Sequence, residues 1–166
     1  MKKNILKTLL FTILLSAMPI IADAMSDKDV TIPRYEIECA GVEGSEGSYL
    51  VQVWVYMKKP NADFSIFKLA AVHGVLFRGY GNETGCKAQR PLAGSQTVEN
   101  EKSDFFRPFF NEGQYEKYTK ILDSSIINQK INKKLYRMGM VVSVAKDQLR
   151  KDLEKAGILE GLGSLF

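Results

Sequence analysis

The sequence predicts an α+β fold: a roughly four-stranded, mainly antiparallel sheet with helices packed on one face and one extra helix. Three observations predict it. Residues 48–58 and 134–145 each repeat apolar side chains at every second position, the period of two that a strand imposes. Between them lies an apolar stretch rich in small residues, residues 61–78, that fits a buried helix. The order strand, strand, helix occurs twice, with the extra helix in between, which defines a layered architecture.

Taken in order, residues 25–33 are polar and end in Pro33, a lead-in to a first strand in which Tyr35, Ile37 and Cys39 face inward against Glu36 and Glu38. Residues 41–47 carry a glycine at every third position and form a flexible connection. In the second strand Tyr49, Val51, Val53, Val55 and Met57 share one face, and Leu50, Gln52, Trp54 and Tyr56 share the other. Asn61 or Asp63 caps the following helix, which reaches about Arg78, and Ala70, Ala71 and Gly74 let its axis approach a sheet. Gly79 to Gly94 reads as a long irregular loop.

Residues 98–110 read as the extra helix, with Ser103 and Asp104 offering an internal cap and Pro108 forcing a kink or a fresh start. Tyr115 to Leu122 fits either a helical face or a strand, and its flanking turn signals favour a strand. Asp123 to Lys133 is polar and reads as a loop. The next strand turns Tyr136, Met138, Met140, Val142 and Val144 inward. A last helix over about Asp147 to Ala156 stops at Gly157, with Ile158 folding back on Leu153. The tail from Glu160 carries Leu162, Leu165 and Phe166.

The first 24 of the 166 residues read as an export leader: Lys2, Lys3 and Lys7, an apolar run from Leu9 to Ile21, then Ala22-Asp23-Ala24 as a small-residue cleavage site. The run is too short for a bilayer-spanning helix, which needs about 20 apolar residues, so no transmembrane segment is expected in the mature chain. No cysteine directly follows the run, which argues against a lipid anchor. Residues 25–166 suit a single domain that buries roughly 70% of its unfolded surface. Without the leader's three lysines and Asp23, 20 Lys and Arg face 18 Asp and Glu, a balance of +2. That near-neutrality, with Lys58-Lys59, Lys133-Lys134 and Arg150-Lys151 scattered along the chain, argues against a nucleic-acid partner.

Two cysteines, Cys39 and Cys86, in an exported chain favour a disulfide, since the space beyond the inner membrane is oxidising. His73 is the only histidine, which removes paired-histidine metal motifs, and its apolar helix favours a hydrogen-bonded structural role. The sharpest enzymatic alternative is an exported hydrolase pairing Cys86 with His73, which requires a free Cys86 thiolate. Residues 79–85 are glycine-rich but follow a helix and lack a Gly-Lys-Ser/Thr ending, so no phosphate cradle is expected. The sequence indicates neither metal nor cofactor. Phe105, Phe106, Arg107, Phe109 and Phe110 crowd four rings around a cation, and with Arg90 and Trp54 they form the candidate binding surface, for a protein partner or for a small apolar ligand or lipid.

The segments Ala71-Val-His-Gly-Val-Leu-Phe-Arg-Gly79, Gln89-Arg-Pro-Leu-Ala93 and Val141-Val-Ser-Val-Ala-Lys-Asp-Gln-Leu-Arg-Lys-Asp-Leu-Glu-Lys-Ala-Gly157 resemble those of an uncharacterised family of small exported envelope proteins of Gram-negative bacteria. The strand followed by a small-residue helix is also loosely similar to the α+β modules of curli-assembly-type envelope lipoproteins, whose lipid-attachment cysteine is missing here. The resemblance implies an envelope or extracellular location, periplasmic or secreted to the cell surface, and transfers no catalytic residue. A non-enzymatic interaction or assembly module with an envelope protein partner is therefore the expected function.

Overall fold

The computed structural model describes residues 29–40, 47–81, 86–124 and 126–160. The expected leader, the glycine-spaced connection up to residue 46 and the tail beyond Glu160 lie outside them. Among the described residues, five antiparallel strands and four helices follow one another as β1 (Tyr35–Cys39), β2 (Tyr49–Met57), α1 (Phe64–Phe77), α2 (Gln96–Glu101), α3 (Ser103–Asn111), a 3₁₀ turn (Gln114–Tyr118), β3 (Thr119–Ile121), β4 (Ile127–Asn132), β5 (Leu135–Val144) and α4 (Lys146–Lys155). The mixed α+β class is as expected.

β1 pairs with β2 and β2 with β5, and the far edge of β5 is shared by β3 at one end and β4 at the other. The register Tyr35↔Val55↔Met138, Ile37↔Val53↔Met140 and Cys39↔Val51↔Val142 lines the predicted inward residues into rows on one face. α1 packs across these rows, and it can do so closely because Gly74 has no side chain: a Cβ there would lie 2.7 Å from Cδ1 of Ile37. Phe67, Leu76, Val51, Val53 and Val55, all fully buried, form the centre of the core.

Three local expectations are corrected. Residues 127–132, read as loop, form β4, a fifth strand that turns back into β5 through Lys133 and Lys134. All six of its residues are exposed, so neither face demands apolar side chains and no alternation marks it. Tyr115 to Tyr118 is a 3₁₀ turn and only Thr119–Ile121 is strand, because Gly113 at φ +71° tucks the chain in and a three-residue repeat buries Tyr115 and Tyr118 on the same side. The extra helix breaks at Lys102, giving α2 and α3, and Pro108 sits inside α3. There it forfeits a single backbone hydrogen bond, while Phe106, Phe109 and Phe110 anchor the helix in the core.

The end of α4 is as read from the sequence. Gly157 at φ +68° lets its N–H reach the Glu154 carbonyl and the Ile158 N–H reach that of Leu153, 2.9 Å away.

Candidate functional site

Cys39 and Cys86 form a disulfide across a Cα–Cα distance of 6.2 Å, tying the end of β1 to the loop after α1. That loop is further pinned by the antiparallel bridge of Tyr80 with Gln89 and by Leu92 and Ala93, whose N–H groups donate to the carbonyls of Val75 and Leu76. With both sulfurs bonded, Cys86 offers no thiolate to His73, and thiol hydrolysis has no nucleophile in the oxidised protein.

His73 lies on α1 with 2% of its surface exposed, between β1 and α2. Its Nδ1 is 2.5 Å from the hydroxyl of Tyr35, and its Nε2 is 3.1 Å from both carboxylate oxygens of Glu99. Glu99 as a carboxylate only accepts, so Nε2 carries the proton and Nδ1 accepts from the phenol. Burial raises the Tyr35 pKa and so keeps the phenol protonated, while Arg78, whose guanidinium stacks 4.0 Å from the Tyr35 ring centroid, opposes this. Burial lowers the His73 pKa, with Glu99 acting the other way through charge and hydrogen bond. Both imidazole nitrogens are thus consumed inside the protein, and the chain Tyr35, His73, Glu99 fastens β1, α1 and α2 together without leaving a basic nitrogen for a substrate.

A shallow cleft opens beside this line, walled by Ile32, Pro33, Arg34, Arg78, Gln96 and Glu99. Among the described residues no group of three or more His, Cys, Asp or Glu side chains could hold a metal ion.

The opposite face of the sheet is covered by side chains instead of a helix. Trp54 lies flat over its cross-strand neighbour Gly139, at which a Cβ would come within 2.3 Å of the indole. The Arg137 guanidinium stacks 3.9 Å above the indole centroid, and Trp54 donates its Nε1–H to Glu38 at 2.9 Å. Arg137 also reaches Glu36 and Glu38 at 3.4 and 3.3 Å, and the Tyr56 hydroxyl donates to Glu36. Trp54 is consequently only 8% exposed on a face over which no helix among the described residues packs, and Nε of Arg137 is buried against it without a hydrogen-bond partner.

Of the sequence-predicted surface residues, the four rings pack on one another, but mostly inside the core. Phe106, Phe109 and Phe110 are buried, packing on Phe77, His73, Tyr115 and Tyr118. Phe105 is half-buried, and Arg107 is exposed and pairs with Asp29 at 3.3 Å. Arg90 is exposed on the loop, and Trp54 lies on the other side of the sheet. What sequence reasoning missed are the partners, Tyr35, Arg78 and Glu99 for His73 and Arg137 for Trp54. The one available signal was the shared strand face of Glu36 and Glu38. The chain matches no protein-family model, no curated protein and no solved structure.

Proposed function

We propose that this protein is an exported, non-enzymatic interaction module of the cell envelope, residing in the periplasm or at the cell surface and meeting a protein partner through the sheet face around Trp54. The observation that carries this reading is the Cys39–Cys86 disulfide, which fits an oxidising compartment and leaves no thiol for catalysis. The leader-like first 24 residues, and the likeness to small exported envelope proteins, agree with it. The His73 nitrogens being both occupied speaks further for a binding role over a hydrolytic one. The face around Trp54, Tyr56 and Arg137 is rich in the three residue types that dominate protein interfaces. No helix among the described residues is long and apolar enough to cross a membrane.

A photo-crosslinking residue placed at Gln52, on the open sheet face, and separately at Arg107, on α3, tests this in intact cells of the native host. The expected result is an adduct with an envelope protein from position 52, with the chain recovered processed and fully oxidised by osmotic shock. Adducts from position 107 alone would move the contact to α3. Recovery of the full-length, reduced chain from the cytosol would overturn the reading.

A further inference from the structure

The register of the sheet gathers basic residues that are far apart in sequence. β2 and β5 end their pairing at Met57↔Tyr136, so Lys58 and Lys59 leave β2 at the same end at which the Lys133-Lys134 turn enters β5. Lys130 pairs with Tyr136 on β4, and Arg34 precedes β1 at this end, its backbone carbonyl accepting from Tyr56 and its guanidinium lying 4.7 Å from the Tyr56 ring centroid. All six cations are exposed, and among the described residues none makes an ion pair. The acids nearest in the chain to this end are Asp63, which accepts from Ser65, and Glu36, held by Arg137.

Among the described residues, the six cations at one end leave 13 basic side chains facing 14 acidic ones over the remainder. The described residues therefore form a basic end and a nearly neutral remainder, an asymmetry that orients the molecule in a field. An apolar side chain accompanies the cations: Ile131 on β4 is 52% exposed. The pairing of β4 is irregular between Lys130 and Asn132, which places Ile131 out of step with the ladder and beside the lysine turn. Cations that attract phosphate headgroups, beside an exposed isoleucine that can enter the acyl boundary, are the chemistry of an anionic lipid surface. A nucleic-acid backbone would use the cations and leave Ile131 in water.

We propose that the lysine-rich end of the sheet, with Ile131 at its tip, docks on an anionic phospholipid bilayer. The docking is electrostatic and reversible, and it leaves the sheet face around Trp54 free; it does not depend on the protein-partner reading.

Co-sedimentation of the protein, as processed and oxidised by its host, with phosphatidylglycerol-containing vesicles and with pure phosphatidylcholine vesicles tests the proposal. Binding is expected to the first only, and to fall as salt is raised. Lys58→Glu with Lys59→Glu, and Lys133→Glu with Lys134→Glu, each weaken it by about ten-fold or more. Ile131→Asn weakens it less, and Lys151→Glu with Lys155→Glu on α4 leaves it unchanged. Unaltered circular dichroism and melting keep the variants interpretable. Equal binding to both vesicle types, no binding to either, or equal weakening by the α4 variant would overturn the proposal. So would competition by inorganic phosphate at matched ionic strength, which would assign the cations to a free phosphate, or tighter binding to duplex DNA than to vesicles.

Discussion

The Tyr35 hydroxyl and His73 Nδ1 sit 2.5 Å apart in the core, joining the edge strand β1 to the central helix α1. Replacing Tyr35 by Phe removes the donor and leaves Nδ1 buried without a partner, which costs about 1–3 kcal/mol. Urea unfolding of Tyr35→Phe at neutral pH should show this loss with an unchanged m-value. No loss would mean that the phenol is not the group satisfying Nδ1.

Stability should depend on pH through the same histidine. Burial holds the folded-state pKa of His73 below its ordinary value of 6.5, so between the two values the unfolded chain binds more protons than the native one. The neutral imidazole therefore contributes fully above pH 6.5, and the contribution is lost as pH falls through 6.5 towards the lowered native value. The urea midpoint should drop from pH about 7.5 to about 5.5, and His73→Gln should flatten that slope. An equal slope in the variant would assign it to other groups.

Gly139 is the floor on which Trp54 lies. A methyl group there meets ring atoms at 2.3 and 2.6 Å, so Gly139→Ala must lift the indole away from Arg137 and Glu38. We expect a cost of about 1–3 kcal/mol. Trp54 is the only tryptophan in the chain, so a red shift of intrinsic fluorescence in the folded state reports the displacement directly. Full stability with an unchanged spectrum would refute this packing.

The disulfide closes a sequence separation of 47 residues. The chain-entropy model gives its removal a cost of about 4 kcal/mol. Cys39→Ser with Cys86→Ser should melt well below the parent, and thiol titration of the denatured, unreduced protein should find none. A free thiol, or a double variant of undiminished stability, would contradict it.

The elements legible in the sequence were those whose side chains carry a burial pattern. β1, β2 and β5 carry a period of two because one face meets α1 and the other holds the polar and aromatic side chains around Trp54, and α1 is marked by the small residues its close approach requires. β4 was illegible because both its faces are wet, and what makes it a strand is the backbone pairing with β5. The 3₁₀ turn over Gln114–Tyr118 was blurred for a related reason: Tyr115 and Tyr118 repeat every three residues, a spacing shared with an α-helical face. His73 stood out in the sequence as a lone buried histidine, yet its partners Tyr35 and Glu99 lie 38 and 26 residues away, and only packing brings them to its two nitrogens.

Local chemistry by itself determined the α+β class, the inward face of each long strand, the glycine stop of α4 and the candidate cysteine pair, because period, conformation and covalent capacity are properties of neighbouring residues. Tertiary structure alone decided which side chains meet: the line through His73, the stack of Arg137 on Trp54, and the convergence of Lys58-Lys59 with Lys133-Lys134. The physical reason is register. Once apolar rows lock two strands together, every polar residue on them acquires a cross-strand neighbour that its own segment of sequence does not specify.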